Sequence, residues 1–364
     1  MPPDPTRFAI DPALQRYPRM AGDLLQAWDA ADALLLEHMG GLGLTTERIA
    51  LLNDGFGALG CALAGLDLTS YSDSYVSSRA MALNSGGRLR PVGSLDELTG
   101  PFDLAVLRIP KNLAFFEDQL CHLSQLLAPG AAVVCAFMVK HQARGSFELL
   151  DRLIGPTRTS LAHKKARLIF AELTRSPTPS PYPQDVPLDG FAHPFVHHSN
   201  LFSREKLDIG TRFLLANLPR GDFPCVLDLG CGDGALGIAA RLQSPASQVV
   251  FADESWMALC SAQASHARYF PDEPRCVWTH CYEGQAPESV DLVLCNPPFH
   301  QGHTVGEAVA RQMFADAHRA LRPGGRMRVV ANAHLGYPSV LRRSFGRCRV
   351  VATNRKFQVL EVTR

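Results

Sequence analysis

Asn296-Pro297-Pro298-Phe299 closes an apolar run that begins at Val290, and its residue types fit a particular chemical problem. The exocyclic amine of a base is planar, with its lone pair spread into the ring, which makes it a poor nucleophile. The Asn296 side-chain oxygen and the Pro297 carbonyl can both accept hydrogen bonds from such an amine. Two acceptors at fixed angles favour a more pyramidal nitrogen as it attacks, so preorganised dipoles stabilise the transition state. Consecutive prolines fix φ twice and stiffen the backbone. Phe299 offers a face on which a flipped base can stack. Taken alone, the tetrapeptide is better read as a strand followed by a Pro-Pro turn. Its weight depends on a cofactor site upstream at the right distance.

Such a site is legible at Cys225-Val-Leu-Asp-Leu-Gly-Cys-Gly-Asp-Gly234, a short apolar strand running into a glycine-rich turn, with a helix predicted over 235–242. Glycines at 230, 232 and 234 let the backbone pass close to a ligand and aim amides at it. A dinucleotide is the competing ligand for a lone glycine-rich turn. Here Asp228 and Asp233 suit a cationic sulfonium and an ammonium better than a pyrophosphate, and no phosphate-binding lysine follows. The next predicted strand, 248–252, runs into Asp253-Glu254, where a carboxylate can accept both ribose hydroxyls. S-adenosylmethionine is the favoured ligand. With a third strand over 276–279, Asn296 follows the fourth strand of an open α/β unit. Ligands of such sheets sit beyond the carboxyl ends of the strands, so donor and acceptor can meet in one crevice.

The elements that position these residues occur twice. Leu52-Asn53-Asp54-Gly55-Phe56-Gly57-Ala58-Leu59-Gly60 parallels Leu229-Gly230-Cys231-Gly232-Asp233-Gly234-Ala235-Leu236-Gly237, and Phe102-Asp103-Leu104 parallels Val290-Asp291-Leu292. Leu127-Ala128-Pro129-Gly130 parallels Leu321-Arg322-Pro323-Gly324. Matches in the same order predict a duplicated α/β domain; shared βα-turn chemistry is the alternative. The run Ser176-Pro-Thr-Pro-Ser-Pro-Tyr-Pro183 reads as a linker, because alternating prolines stay extended. Domains are therefore expected over 1–178 and 188–364.

Composition narrows the class. The chain has 364 residues, 46% hydrophobic and 20% charged, as expected of a globular protein with room for two domains. Its ten cysteines form no C-x-x-C pair, which argues against zinc fingers and iron–sulfur clusters, and no metal site is expected. The first twelve residues carry no secretory pattern, so the thiols are read as reduced and the location as cytoplasmic. The most apolar stretch, 131–139, is too short to span a bilayer. A monomer is the default. Net charge is near zero, yet residues 319–364 hold eleven Arg and Lys against the single acid Glu361, a local +10. A phosphate-tracking face is the preferred reading, with a solvated surface balanced elsewhere as the alternative.

Together these residues resemble the class I S-adenosylmethionine-dependent methyltransferases, and within them the bacterial ribosomal RNA guanine-N2 methyltransferases. The pattern extends through 25–32, 52–59, 164–168, 202–204, 207–210, 296–301, 330–335 and 352–357, closest to large-subunit members of that family. The resemblance implies two tandem Rossmann-like domains, the N-terminal one degenerate, acting on a guanine N2 amine of 23S ribosomal RNA. It places Asp228, Gly230 and Gly232 on the methionine end of the cofactor, Asp253 on its ribose, and Asn296, Pro297 and Phe299 on the target base. At the end of the third strand, where relatives often carry Asn or Asp near the adenine, this chain has His280-Cys281.

The first half fails the same criteria. Leu51 stands where Asp228 stands, Asn53 replaces Gly230, and Arg108-Ile-Pro-Lys111 replaces the Asn-Pro-Pro-Phe segment. Asp73 is the remaining candidate for a ribose position. Residues 1–175 are expected to bind no cofactor and to position RNA or support the second domain. Lys164, Lys165 and Arg167 read either as phosphate contacts or as a solvated turn. His197-His198 resembles a metal pair, but neighbours in an extended segment point apart. Residues 202–210, before a helix predicted over 211–218, read as a lid or as ordinary packing. Rival functions are a small-subunit (16S) guanine, an adenine N6 or a glutamine amide as acceptor, and an RNA-binding ribosome-assembly factor.

Overall fold

In the computed structural model, residues 4, 6–19, 24–141, 145–298 and 304–364 are described. The chain divides into two compact units, Met1–Tyr182 and Pro183–Arg364. The proline-rich run is not a free spacer along its whole length. Thr178 donates its amide to Ser124 Oγ, Ser180 donates to Asp118 Oδ1 and Tyr182 to Glu117 Oε2, which ties 178–182 to the first unit.

The first unit contains strands β1 (Arg48–Leu52), β2 (Asp67–Tyr71), β3 (Phe102–Arg108), β4 (Leu127–Met138), β5 (Arg158–Thr159) and β6 (Ala166–Glu172), ordered β2-β1-β3-β4-β6-β5. Its helices are α1 (Ala30–Gly40), α2 (Ala58–Leu63), α3 (Tyr75–Asn84), α4 (Leu113–Leu126) and α5 (Gly145–Leu153). The pairs β2-β1, β1-β3 and β3-β4 are parallel, whereas β4-β6 and β6-β5 are antiparallel. Leu35, Leu36 and Met39 of α1 bury one sheet face with Ile49, Leu51, Val106 and Val134.

The second unit begins with a small antiparallel pair, β7 (Gln184–Val186) and β8 (Phe195–His197). Its main sheet is built from β9 (Cys225–Leu229), β10 (Gln248–Asp253), β11 (Arg275–Trp278), β12 (Val290–Cys295), β13 (Leu321–Asn332), β14 (Cys348–Thr353) and β15 (Phe357–Thr363), ordered β11-β10-β9-β12-β13-β15-β14. Helices α6 (Ile209–Leu215), α7 (Ala235–Gln243), α8 (Trp256–Ala267), α9 (Thr304–Ala320) and α10 (Tyr337–Phe345) complete it. α6 starts and stops before the predicted 211–218 because Asp208 caps it, accepting from the Thr211 amide at 3.1 Å.

The parallel strands read as continuous apolar runs because both faces are covered. Val293 and Cys295 pack with Phe314 and Ala317 of α9, while Leu292 and Leu294 pack with Leu214 of α6 and Leu236 of α7. The same strand order recurs in the two units, the second adding β11 at one edge. No helix among the described residues is long and apolar enough to cross a membrane.

Candidate active site

Three parallel strands of the second unit end together. Leu229 pairs with Ala252 on one side and Cys295 on the other, so Gly230, Asp253 and Asn296 leave the sheet side by side. Asp253 and Asn296 therefore flank the glycine turn at the carboxyl edge, although they are 43 positions apart in sequence (296 − 253).

Gly230, Gly232 and Gly234 all have left-handed φ, at 73°, 55° and 85°. Their amides are not aimed at a ligand. Gly230 and Cys231 both donate to the Ala252 carbonyl, at 2.8 and 3.2 Å, and Gly234 donates to the Cys231 carbonyl at 2.9 Å. Gly232 donates to Asp253 Oδ2 at 2.9 Å, and Ala235 to Asp233 Oδ1 at 3.1 Å. The expectation of free donors here is corrected by this arrangement. With those amides engaged, the turn presents carboxylates and carbonyls, an environment for cationic groups rather than for a pyrophosphate.

Of the four glycines around the turn, Gly232 alone borders open space: a Cβ there would meet nothing within 4 Å. A Cβ on Gly230 would lie 3.2 Å from Met313 Cε, one on Gly234 3.0 Å from Ala262 Cβ, and one on Gly237 2.6 Å from Phe251 Cε1. Asp228 is fully buried, and its Oδ2 accepts from the Gly237 amide at 2.8 Å. Burial pushes its carboxyl well above the usual range, the Gly237 amide opposing the shift. Its other oxygen has no partner among the described residues. Asp228 thus acts through the start of α7, which it holds against the sheet. Burial also raises Asp253, against the amides of Ser255 and Gly232.

Asn296 is oriented by residues that the motif does not contain. Its Nδ2 donates to Asp208 Oδ2 at 3.0 Å and to Thr211 Oγ1 at 2.9 Å. A carboxylate only accepts, so the amide nitrogen must face Asp208 and the oxygen must face away. That oxygen, Asn296 Oδ1, is buried and has no partner among the described residues. Pro297 is buried beside it and Pro298 exposed. Phe299 and His300 lie outside the described residues. The N-cap pattern of Asp208 before α6 was the sequence signal for this contact, but nothing in it pointed to Asn296.

The histidines serve other purposes. His197 Nδ1 lies 2.7 Å from the Arg204 carbonyl and Nε2 lies 3.2 Å from Asp233 Oδ2, linking residues 197–204 to the glycine turn. His198 contacts Ser261. His280 and Cys281 are buried with Nε2 and Sγ 3.6 Å apart, and burial holds the His280 imidazole below its ordinary value. Among the described residues no group of three His, Cys, Asp or Glu is arranged to hold a metal ion.

The first unit repeats this edge with different chemistry. Leu52 pairs with Tyr71 and Leu107, so Asn53, Ser72 and Arg108 stand where Gly230, Asp253 and Asn296 stand. The ribose position thus falls to Ser72 and not, as the sequence suggested, to Asp73. The N-caps agree, Ser74 on α3 matching Ser255 on α8. Asn53 keeps the left-handed φ of Gly230, at 64°, and its side chain bonds the Arg108 carbonyl and Gln119. Arg108 forms a bidentate pair with Asp29, both contacts 2.8 Å, and also binds Asp32. Asp29 caps α1 as Asp208 caps α6. The buried Asp54 accepts from the amides of Gly57 and Gly60 at 3.0 and 2.8 Å, doing from the loop what Asp228 does from the strand.

The basic C-terminal stretch is partly neutralised. Arg326, Arg328 and Arg349 share Glu361, while Arg322 pairs with Asp291, Arg364 with Glu288 and Arg319 with Asp316. Arg342, Arg343, Arg347, Arg355 and Lys356 are exposed, without an ion pair among the described residues.

The sheet order, the glycine turn after β9 and the Asn-Pro-Pro segment after β12 define a class I methyltransferase. A family model described as "Methyltransferase small domain" matches residues 192–361, and one described as "RLMG N-terminal domain" matches 7–175. Proteins named ribosomal RNA large subunit methyltransferase G from Ectopseudomonas mendocina and Pseudomonas paraeruginosa are each 45% identical, covering 96% of this chain and 97% and 96% of their own lengths. The chain belongs to the ribosomal RNA large subunit methyltransferase G family. Its fold is shared with the T. thermophilus 16S rRNA N2 methyltransferase, solved in complex with AdoMet and guanosine, at a TM-score of 0.79 and 23% identity over 98% of this chain and 94% of that one.

Proposed function

We propose that the protein moves a methyl group from S-adenosylmethionine to the exocyclic N2 amine of a guanine in large-subunit (23S) ribosomal RNA. The observation that carries this is the single orientation of Asn296, whose pinned nitrogen leaves Oδ1 as a buried acceptor at the sheet edge. The chain's own residues fit the cofactor. Open space beside Gly232, engaged amides and the nearby carboxylates suit a ligand carrying an ammonium and a sulfonium. In this reading Gly230 and Gly232 line the methionine end, Asp228 shapes the turn, and Asp253 takes the ribose. When bound, S-adenosylmethionine supplies an electrophilic methyl group.

Asn296 Oδ1 and the Pro297 carbonyl hold the two amine hydrogens and draw the nitrogen lone pair out of the ring, while Phe299 stacks on the flipped guanine. The carbon–nitrogen bond forms as the carbon–sulfur bond breaks, and the amine proton leaves to water. No covalent enzyme intermediate is needed.

The domains in this reading are 1–178 and 188–364, the second catalytic. In the first, Arg108 occupies the acceptor position and Asn53 the cofactor turn, which supports a role in RNA positioning rather than a second cofactor site. Lys164, Lys165, Arg167 and the unpaired C-terminal cations contact RNA phosphates. The protein works as a monomer, and such a substrate places it in the cytoplasm. Tritiated methyl transfer onto separated large- and small-subunit RNA, followed by digestion to nucleosides, tests the proposal. N2-methylguanosine from the large-subunit RNA is expected; N6-methyladenosine, or label on the small-subunit RNA alone, would sink it.

A further inference from the structure

The two units share a second feature that catalysis does not use. In the first, β5 and β6 are joined through His163-Lys164-Lys165-Ala166, where His163 and Ala166 exchange backbone hydrogen bonds of 2.9 and 2.8 Å. Lys164 and Lys165 have φ of 46° and 66°. A two-residue turn with both central residues left-handed ordinarily carries Asn-Gly, because Cβ crowds the following carbonyl there, a clash that Gly lacks and that Asn offsets by local hydrogen bonding. In the second unit, β14 and β15 are joined through Asn354-Arg355-Lys356. Asn354 Oδ1 fixes that turn by accepting from the amides of Lys356 and Phe357 at 2.9 and 2.7 Å.

These turns occupy the same place in the duplicated topology. Ala166 pairs with Met138, the last residue of β4, and Phe357 pairs with Asn332, the last residue of β13. One residue on, Val139 donates to the Lys165 carbonyl at 2.8 Å and Ala333 donates to the Lys356 carbonyl at 2.9 Å. Each basic pair therefore sits at the carboxyl edge of its own sheet, the edge that carries Asn53 and Arg108 in one unit and Gly230 and Asn296 in the other. All four side chains are exposed, and none has an ion pair among the described residues. Six arginines elsewhere in the C-terminal stretch are matched to acids.

From this we infer that the twin basic turns, Lys164-Lys165 and Arg355-Lys356, form a two-point grip on the phosphates of the RNA substrate. A solvated turn does not require lysine at two left-handed positions, where the sequence accepts a locally unfavourable conformation. The unit without Asn296 and the open glycine turn nonetheless keeps the basic pair in register, which separates the grip from the chemistry. The inference rests on the reading that RNA is the substrate.

The test uses the full chain and protein-free large-subunit ribosomal RNA transcribed in vitro. Binding is measured over a potassium chloride series for Lys164→Asn with Lys165→Gly, for Arg355→Gln with Lys356→Gln, and for all four changes together. Each pair should weaken binding about tenfold and flatten the slope of log affinity against log salt by roughly 1.5, with the effects combining in the quadruple variant. The Asn-Gly replacement should also raise the thermal midpoint, because it suits the left-handed turn. Unaltered affinity and slope in variants that fold and methylate would overturn the grip. If the variants show these losses while the wild-type protein binds the RNA without methylating it, the functional reading is overturned and the grip stands.

Discussion

A carboxamide beside a carboxylate has one favourable orientation, and at Asn296 that orientation determines what the oxygen can do. Asp208 and Thr211 hold Nδ2, so Oδ1 is left as a buried acceptor without a partner among the described residues. Asn296→Ala should lower kcat by about 10²–10³-fold, the usual effect of removing one preorganised transition-state group, with S-adenosylmethionine affinity little changed. Asp208→Asn should keep the α6 cap, since Asn caps helices nearly as well, yet free the amide to turn over. A kcat loss of roughly tenfold with an unchanged urea midpoint is expected. Asp208→Ala should add a stability loss of about 1 kcal/mol. If Asp208→Asn left kcat intact, the orienting role would be wrong. Asn296 was legible in sequence because a short motif contains it. Its partners were not, since Asp208 lies 88 positions before Asn296 in the sequence (296 − 208).

At the scale of the elements, the glycine turn divides into positions that face packing and one that faces a crevice. Gly237→Ala should destabilise by about 1–3 kcal/mol, because its Cβ would lie 2.6 Å from buried Phe251. Gly232→Ala meets no atom, so only its left-handed φ should matter, about 1–2 kcal/mol, while S-adenosylmethionine affinity falls tenfold or more. Urea unfolding and calorimetric titration of both variants would reveal the opposite pattern if the crevice lay elsewhere.

The first unit has its own titratable device. Burial raises Asp54 from 3.8 to about 6, with the Gly60 and Gly57 amides opposing. An acid whose folded pKa is raised binds its proton more tightly in the native state. Its stabilising contribution is therefore present below the unfolded value and is lost as pH rises from about 4 to about 6. Asp54→Asn should remove up to about 3 kcal/mol of that pH dependence, read as the wild-type minus variant difference in unfolding free energy across this range. A difference independent of pH would contradict the buried-acid account.

Sequence pattern located the strands well, because apolar runs bounded by glycine and proline mark both-face burial. It misplaced a position in the first unit, assigning the ribose site to Asp73 where strand pairing puts Ser72. A one-residue register shift reverses which face a side chain takes, and only strand pairing fixes it. Free amides at the glycine turn were also expected, but Ala252 and Asp253 on the neighbouring strand accept them, partners that no local pattern names.

Across the whole molecule, one architecture appears twice, with the glycine turn and the Asn-Pro-Pro segment together in the second copy. Duplication was visible in the sequence as three ordered matches. What the sequence could not show is how the first copy is filled: Arg108 is anchored on Asp29 and Asp32, and Asn53 is tied to Gln119. Formal charge misled in a similar way. The local +10 of residues 319–364 is reduced by acids from β12, α9 and the loop before β12, leaving a smaller set of exposed cations.

In the proposed reaction, Asn296, oriented by Asp208, directs methylation to a guanine N2 amine of large-subunit ribosomal RNA. Mass-spectrometric mapping of that RNA, from cells lacking the protein and complemented with wild type or Asn296→Ala, tests it most directly. One N2-methylguanine is expected to disappear without the protein, to return with wild type and to stay absent with Asn296→Ala. Restoration of the mark by Asn296→Ala, or loss of a different modified nucleotide in its place, would contradict it.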